Sequence, residues 1–228
     1  TTGNEVLDIM FSLETAYFSL LESLRAEEQM LVYRVRYDLA INAFYNDEVN
    51  KVAILAPFLY PAITDKSTID KPYNLFFFIG HEVFHSVVRT DWAEKSPAFN
   101  SGMKCMIDHY NKTCDTYPVG SCNSGAQTFE EDGPDIEGQR INYEFLIRNN
   151  KEEELNEIVF ESERLSVNRE QAFFYLSGIT FCSEIKAIDN HTDVHSLPHA
   201  RINGLVTQMP EFTKAFFCSS NQAMYTEK

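Results

Sequence analysis

What this sequence lacks already narrows the kind of protein it can encode. Basic residues are scarce, because 19 Lys and Arg stand against 34 Asp and Glu, which gives a net charge of −15. Nucleic acid and anionic membranes repel such a chain, so we expect neither as a partner. No apolar run approaches the roughly 20 residues of a membrane-spanning helix, and no signal peptide is visible. We therefore expect no membrane span.

Internal repeats, low-complexity segments and interdomain linkers are also absent. The 228 residues, of which 44% are hydrophobic and 23% charged, can build one globular domain with its own core. We therefore predict a single domain over residues 1–228, with residues 1–39 as a helical lead-in. The chain does not begin with Met, which indicates a processed protein or a fragment.

The chemically most informative stretch runs from Asn74 to Val88, is apolar and contains no proline. Within it, His81, Glu82 and His85 form the pattern H-E-x-x-H. On a helix, residues four apart lie on one face, so both imidazoles can reach one metal ion. Glu82 lies about 100° further round the helix, close to a water on that metal. The alternative is a buried helix with two hydrogen-bonded core histidines.

A third ligand is suggested by Glu131, within the acidic run TFEEDGPD. Asp135 follows four residues later, so on a helix one carboxylate can bind the metal and the other can hydrogen-bond a ligand imidazole. The alternative is a solvated acidic turn. Because Pro134 is tolerated only in a first helical turn, we expect a helix from roughly Asp132 to Asn149 with Glu131 at its start.

Three further features concern strands, other histidines and the cellular compartment. Residues 41–45 and 52–55 are expected to form two strands of an edge-strand hairpin, to which a peptide can add. Three histidines four residues apart would make a second metal site on a helix, but their sequence favours a loop; they are His191, His195 and His199.

Two sequons and two nearby cysteines are compatible with a secreted glycoprotein carrying one small disulfide; they are Asn111, Asn190, Cys114 and Cys122. The alternative is five free thiols in a reducing compartment.

Taken in chain order, these motifs resemble the neprilysin and endothelin-converting-enzyme family of zinc metallopeptidases. The HEVFH segment matches the family pattern H-E-x-x-H, and Glu131 and Asp135 match E-x-x-x-D. Residues Asn42 to Tyr45 match N-A-x-Y, and Thr192 to Ser196 match T-D-x-H-S, with Arg201 six residues beyond the histidine of that motif. The segment from Asn168 to Cys182 resembles a helix of the family. The matches extend from about Ala40 to Lys228. The resemblance implies a mainly α (α+β), thermolysin-like zincin catalytic domain with a small edge-strand sheet, without the family's N-terminal roof.

The resemblance also implies roles for individual residues. One zinc ion would be bound by His81, His85 and Glu131. The residues implied in catalysis are Glu82 as general base, Asp135 beside a ligand imidazole, His195 as oxyanion donor oriented by Asp193, and Arg201 on a substrate carbonyl. The substrate backbone would be held by Asn42 and Ala43. Cys105, Cys182 and Cys218 match family positions whose partners lie in segments absent from this chain.

The resemblance further implies where a substrate is cut. Phe77, Phe78 and Phe181 correspond to the pocket for the side chain after the cleaved bond. Aromatic walls make an apolar pocket but also fill volume, so we expect cleavage on the amino side of apolar residues, with Leu tolerated better than large aromatics. The alternative is that these three Phe are core residues.

The resulting functional prediction is an extracellular, zinc-dependent endopeptidase that hydrolyses oligopeptides, from a family whose members are often membrane-anchored upstream. The rival is a catalytically silent, neprilysin-like extracellular protein that binds peptides or proteins. Two departures favour the rival: Ser86-Val87-Val88 stands where the family has Gly-Phe-Asp, and Gly133-Pro134 replaces better helix formers. A third, weaker possibility is a fold that keeps zinc only structurally.

Overall fold

The computed structural model describes residues 42–55, 57–59, 71–113, 124–182 and 193–226. The chain divides into two compact units, Thr1–Lys66 and Ser67–Lys228. The single domain expected over residues 1–228 remains a prediction, and its helical lead-in lies outside the described residues.

The described part of the first unit consists of a β-hairpin and a short helical segment at residues 57–59. Strand β1 (Ala43–Asn46) pairs antiparallel with β2 (Lys51–Ile54). The turn between them is closed by the Asn46 side chain, whose Oδ1 accepts the Val49 N–H at 3.2 Å. Asn50 has a φ of 50°, a left-handed conformation that Asn tolerates better than most residues. The small sheet expected from the sequence is therefore confirmed.

The second unit is mainly helical, as predicted. Its helices are α1 (Lys71–Phe84), α2 (Pro97–Asn111), α3 (Gly125–Asn149), α4 (Glu152–Leu155), α5 (Arg169–Thr180), α6 (Pro198–Val206) and α7 (Pro210–Ala215), with a 3-10 turn at Thr90–Trp92. A second antiparallel hairpin, β3 (Ile158–Glu161) and β4 (Ser166–Asn168), separates α4 from α5. Asn168 also caps α5, because its Oδ1 accepts the Gln171 N–H at 2.8 Å.

One core joins most of these helices, with α3 running through it. The buried apolar side chains of this core come from α1, α2, α3, α5, α6 and the residues around α7; they are Phe77, Tyr110, Ile136, Tyr143, Leu146, Phe173, Phe174, Leu205, Val206, Met209 and Ala215. The burial of α3 on several sides explains why it can hold polar groups at fixed positions in the interior.

The position of Pro134 in α3 corrects the sequence prediction. The helix begins at Gly125 rather than near Asp132, so Pro134 lies inside it and Glu131 is not at its start. A proline inside a helix removes one backbone hydrogen bond and costs about 3 kcal/mol. The helix continues because α3 is packed on both sides of Pro134, and tertiary packing outweighs this local cost.

The metal-motif helix also differs in its ends from the prediction. It spans Lys71–Phe84, so it begins before Asn74 and ends before Val88, and Pro72 falls in its first turn, where proline is tolerated. His85 lies just beyond the last helical residue, but its N–H still donates to the His81 carbonyl at 3.2 Å. The four-residue spacing of the two histidines is therefore kept in helical geometry.

Helices α1 and α3 touch through glycine. A Cβ on Gly138 would lie 2.8 Å from the His81 backbone N and 3.0 Å from the Phe77 carbonyl oxygen. A Cβ on Gly80 would lie 3.0 Å from Gly138 Cα. The missing side chains let the two backbones meet, and this contact sets the distance between α1, which carries His81, and α3, which carries Glu131.

We expect Gly138→Ala to lower the free energy of unfolding by about 1–3 kcal/mol, the usual effect of overpacking, because rigid backbone stands in the way of the new methyl group. The matched control is Gly102→Ala in α2, where nothing lies within 4 Å of the added Cβ. That change should stabilise by up to about 1 kcal/mol, from helix propensity alone. Urea unfolding of both variants checks that the free energy of unfolding falls in Gly138→Ala and rises in Gly102→Ala. A Gly138→Ala protein as stable as wild type would contradict a close backbone contact between α1 and α3.

Candidate active site

The two histidines of the H-E-x-x-H motif converge on one point. His81 Nε2 and His85 Nε2 lie 3.0 Å apart, and the two rings are perpendicular. His81 is buried, with 4% of its surface exposed, while His85 is partly open. Two imidazole nitrogens aimed at each other at this distance can share one metal ion through their lone pairs.

Glu131 of α3 completes a triangle with these nitrogens. Its Oε2 lies 3.3 Å from His81 Nε2 and 3.6 Å from His85 Nε2. Ligands held at about 2.0–2.1 Å in tetrahedral geometry stand roughly 3.3 Å from one another. The three atoms therefore have the spacing, and the nitrogen and oxygen donor set, that a zinc ion requires. Among the described residues this is the group of three that could hold a metal.

Glu82 lies beside this triangle on α1. It follows His81 directly, and its side chain is buried, with 6% exposed. Since it is displaced by about 100° round the helix from His81, it does not compete for the metal position. The predicted general base thus lies on α1, directly after the first of the two candidate ligand histidines.

Asp135 and Arg201 lie behind His81. The fully buried Asp135 places Oδ1 2.7 Å from His81 Nδ1, and Arg201 grips the same carboxylate through both Nε and Nη2. Burial opposes a charged Asp135, but the Arg201 charge and the His81 bond together lower its pKa. Burial lowers the pKa of His81, yet hydrogen bonds to Asp135 and Glu131 outweigh it and raise the pKa to about 9. The contact with Asp135 favours a proton on Nδ1, so Nε2 is the nitrogen that would bind a metal once its own proton is lost.

The contact with Asp135 occupies the nitrogens of Arg201 that were expected to grip a substrate carbonyl. The guanidinium also lies over the Phe181 ring, 4.9 Å from its centroid. Its half-buried position between Asp135 and Phe181 makes it part of the wall of the site. The contact between Arg201 and a substrate stays a prediction. It would be made by the N–H groups of the guanidinium that do not donate to Asp135.

His195 approaches the triangle from the solvent side. Its Nε2 lies 3.2 Å from Glu131 Oε2, and its Nδ1 lies 2.8 Å from Asp193 Oδ1. The Asp193 carboxylate also accepts the His195 backbone N–H at 2.9 Å, so it sets both the ring and the backbone. The Glu131 bond raises the pKa of His195 against the effect of burial, with Asp193 adding to the rise. The pairing of His195 with Asp193 is the one proposed from the resemblance.

Two acidic residues next to Glu131 were not assigned any role from the sequence. Glu130 accepts hydrogen bonds from Thr90 N at 2.7 Å and Thr90 Oγ1 at 2.6 Å. Asp132 is fully buried and accepts the Thr128 hydroxyl at 2.6 Å. The acidic run is therefore not a solvated turn. Only the four-residue spacing of Thr128 and Asp132 on one helix face could have signalled their contact.

The three phenylalanines expected to form a pocket do lie together. The ring centroids of Phe77 are 5.1 Å from Phe78 and 5.7 Å from Phe181, and Phe78 is 6.5 Å from Phe181. Phe77 is buried in the core, whereas Phe78 and Phe181 are partly exposed beside it. Phe77 also faces the His81 ring at 6.3 Å, so the cluster adjoins the candidate metal site.

The remaining predicted residues are dispersed or lie outside the described residues. In the first unit, Asn42 is exposed with its Oδ1 on the Ala43 N–H, and Ala43 is buried; their substrate-binding role stays a prediction. Asn111 ends α2 and its Oδ1 accepts the Gly125 N–H at 2.8 Å; its glycosylation also stays a prediction. Three cysteines are free thiols: Cys105, Cys182 and Cys218. Those predicted residues for which the structure gives no description are Asn190, His191, Cys114 and Cys122.

Comparison with known proteins places this geometry in a family. The sequence model of peptidase family M13 matches residues 42–228. The chain belongs to this family. Neprilysin of Homo sapiens is 24% identical over 258 aligned residues, which cover 99% of this chain and 34% of that protein. Neprilysin-1 of Caenorhabditis elegans is 27% identical over 212 residues, which cover 82% of this chain and 27% of that protein. This M13 chain thus spans about a third, or less, of the length of these relatives.

Solved structures of similar fold support the same placement. The zinc metalloprotease ZMP1 of Mycobacterium tuberculosis, in complex with an inhibitor, gives a TM-score of 0.62 at 20% identity, covering 82% of this chain and 31% of that one. The Haemonchus galactose containing glycoprotein complex gives 0.61 at 23% identity, covering 81% and 33%. At such identities the likeness shows the fold, and with the family match it confirms the M13 resemblance inferred from the motifs. Within the described residues, every helix is too short or too polar to cross a membrane.

Proposed function

We propose that this chain is the catalytic portion of an extracellular, zinc-dependent endopeptidase that hydrolyses oligopeptides. The observation that carries the proposal is the triangle of 3.0, 3.3 and 3.6 Å formed by His81, His85 and Glu131, with Glu82 at its side. Membership of peptidase family M13 supports the same reaction class. Metal analysis of the purified chain, combined with cleavage of a peptide library before and after chelation, tests it.

Zinc fits the three donors in number, type and spacing, and His81, His85 and Glu131 would hold it. When bound, zinc supplies a Lewis acid that lowers the pKa of water toward 7 and polarises the scissile carbonyl. The chain itself supplies the other functions. Glu82 takes the proton of the attacking water and passes it to the leaving amine. Asp135 keeps the His81 ring in place throughout.

The oxyanion of the tetrahedral intermediate needs a hydrogen-bond donor on the open side of the site. His195 is the residue in that position, since it faces Glu131 and is partly exposed. With both ring nitrogens protonated, it donates from Nδ1 to Asp193 and from Nε2 to the oxyanion.

The features that favoured a catalytically silent protein have a packing explanation. A Cβ on Gly133 would lie 2.4 Å from Val88 Cγ1, so Val88 fits only because residue 133 is glycine. The two departures from the family pattern therefore accommodate each other. Pro134 is likewise absorbed in the packed interior of α3. Neither change removes a metal-binding atom, so the active enzyme is the better-supported proposal.

The phenylalanine cluster supports cleavage on the amino side of apolar residues. Phe78 and Phe181 are partly exposed beside the candidate metal ligands, and together with Phe77 they offer an apolar wall. The charge nearest to it is the Arg201 guanidinium over the Phe181 ring, which is paired with Asp135. Such a wall binds apolar side chains and excludes charged ones. Because three rings already fill this region, Leu should be accepted better than Phe or Trp.

We expect Phe78→Val to shift this preference toward larger side chains. The smaller residue opens volume, and a change of one methylene in such a pocket is worth about 1–3 kcal/mol, so the ratio of kcat/KM for Phe over Leu substrates should rise about tenfold. The control is Phe76→Val on the same helix, whose ring packs against Phe145 at 4.7 Å. Peptide-library profiling measures both variants; an unchanged preference in Phe78→Val would make the cluster a core feature only.

A further inference from the structure

The two histidines of the candidate metal site are held in different ways. His81 lies inside α1, and Asp135 contacts its Nδ1 at 2.7 Å. His85 lies one residue beyond the end of α1. Within the described residues, the polar contacts of its ring are with His81 and Glu131, both at Nε2. The position of His85 therefore depends mainly on the backbone that carries it.

The chain after His85 turns back onto α3. The Val88 N–H donates to the Phe84 carbonyl at 2.8 Å, which closes a turn directly after the helix. Val88 itself is buried and touches α3, because a Cβ on Gly133 would lie 2.4 Å from Val88 Cγ1. Residues 85–89 form neither helix nor strand, so their position depends on contacts with α3.

Glu130 fastens the far end of this turn to α3. Its Oε1 accepts both the Thr90 backbone N–H at 2.7 Å and the Thr90 hydroxyl at 2.6 Å. Hydrogen bonds to a carboxylate are roughly twice as strong as those between neutral groups. A carboxylate that only solvated an exposed face of α3 would not receive two donors from one residue 40 positions away. Glu130 therefore joins the chain that follows His85 to α3, directly beside the candidate ligand Glu131.

We propose that Glu130 is a positioning residue, which acts through Thr90 to hold His85 at the distance from Glu131 that a shared zinc ion needs. Glu130 and Glu131 are neighbours on one helix, so this clamp ties His85 to the rigid element that supplies the third candidate ligand. The side of the triangle that it controls is the longest, 3.6 Å between His85 Nε2 and Glu131 Oε2. The inference rests on the proposed function, although Glu130 itself contributes no metal-binding atom.

Zinc affinity, measured by competition with a chromogenic chelator, tests the clamp without reference to activity. Glu130 is exposed, so its substitutions should not prevent folding. Glu130→Ala removes both bonds and should lower the affinity about tenfold, the lower end of the effect of losing a partner that orients a ligand. Thr90→Ala removes only the hydroxyl bond and should lower it less. Glu130→Gln keeps an acceptor oxygen for both donors and should stay near wild-type affinity; a loss equal to that of Glu130→Ala would overturn the proposal.

Double variants show which histidine Glu130 acts on. In a His85→Ala background, Glu130→Ala should cause no further loss of zinc affinity, because the ligand that it positions is already gone. In an Asp135→Asn background, which weakens the hold on His81, the two losses should multiply. A full additional loss in the His85→Ala background would show that Glu130 does not act through His85.

A matched control separates positioning from general destabilisation. Glu154 is also an exposed carboxylate that accepts a backbone N–H, that of Lys151 at 2.6 Å, but this bond caps α4 and joins no distant segments. Glu154→Ala should lower the melting temperature and leave zinc affinity unchanged. Equal losses of affinity in Glu154→Ala and Glu130→Ala would reduce the role of Glu130 to stability alone.

Hydrogen–deuterium exchange of the metal-free protein separates the clamp from the proposed function. Glu130→Ala should increase exchange at residues 86–90 relative to Glu154→Ala, and Glu130→Gln should not. Unchanged exchange there would refute the clamp, whether or not the wild type cleaves peptides. A wild type that binds no zinc would refute both the metal site and the positioning role. The expected changes in exchange and affinity, in a protein that cleaves no peptide, would refute the endopeptidase and retain the clamp.

Discussion

Glu82→Gln should keep its zinc and lose at least about 10²-fold of kcat, the usual contribution of a general base. Glutamine preserves the size of the side chain, but its neutral amide cannot take a proton from water. The substitution is conservative for the fold because Glu82 is buried beside His81 and contributes no metal-binding atom to the triangle. Turnover of a peptide substrate, measured beside the zinc content of the same sample, checks both halves of the prediction.

The matched control for charge is Glu144→Gln. Glu144 lies on the exposed face of α3, where it pairs with Arg148 at 3.3 Å. Loss of one carboxylate there should leave kcat unchanged. Wild-type turnover in Glu82→Gln would remove Glu82 from the mechanism. A wild-type protein that binds zinc but cleaves nothing would favour the catalytically silent member of the family instead.

Local periodicity predicted the candidate metal site because its residues lie in pairs within single helices. His81 and His85 are four apart at the end of α1, where the His85 N–H continues the helical hydrogen bonds, and Glu131 and Asp135 are four apart on α3. Spacing alone therefore fixes the face that each pair shares. What joins the two helices is not visible in that spacing. The backbone contact between Gly80 and Gly138 depends on the absence of two side chains far apart in sequence.

The consecutive acidic residues show where sequence reasoning stops. Neighbouring residues on a helix point about 100° apart, so Glu130, Glu131 and Asp132 enter three different environments. Glu130 and Glu131 find their partners about 40 residues or more away in the chain, at Thr90 and at the two histidines, while Asp132 binds Thr128 one turn earlier on the same helix face. A charge run carries no information about such partners, and the solvated turn was its simplest interpretation.

Arg201 and Pro134 illustrate two other limits. The contact of Arg201 with a substrate stays a prediction from the resemblance, and the structure adds a pairing of its guanidinium with Asp135 across 66 residues, which no local pattern encodes. Pro134 was expected to mark a helix start from its own backbone chemistry. The packing around α3 decided otherwise, because local propensity is a weak preference that burial can override.

The largest effect on metal binding is expected from Glu131→Gln. Loss of a partner that only orients a metal ligand lowers affinity by about 10–100-fold, so loss of a charged ligand itself should exceed about 100-fold and abolish peptide cleavage. The neutral amide oxygen keeps the shape of the side chain but is a much weaker zinc ligand than a carboxylate. Competition with a chromogenic chelator measures the affinity directly, without reference to activity.

Two further variants make this prediction a graded one. Asp135→Asn keeps all three metal-binding atoms but weakens the hold on His81 Nδ1, so its zinc affinity should fall by only about 10–100-fold. Glu130→Gln, the same substitution one residue before Glu131, can still accept from Thr90 and should keep wild-type affinity. Equal affinities in Glu131→Gln and Glu130→Gln would show that zinc, where it binds, is held by other residues. The order Glu130→Gln, Asp135→Asn, Glu131→Gln follows from what each carboxylate contacts. Glu130 binds Thr90, Asp135 contacts His81 on Nδ1, and Glu131 lies within 3.6 Å of both histidine Nε2 atoms.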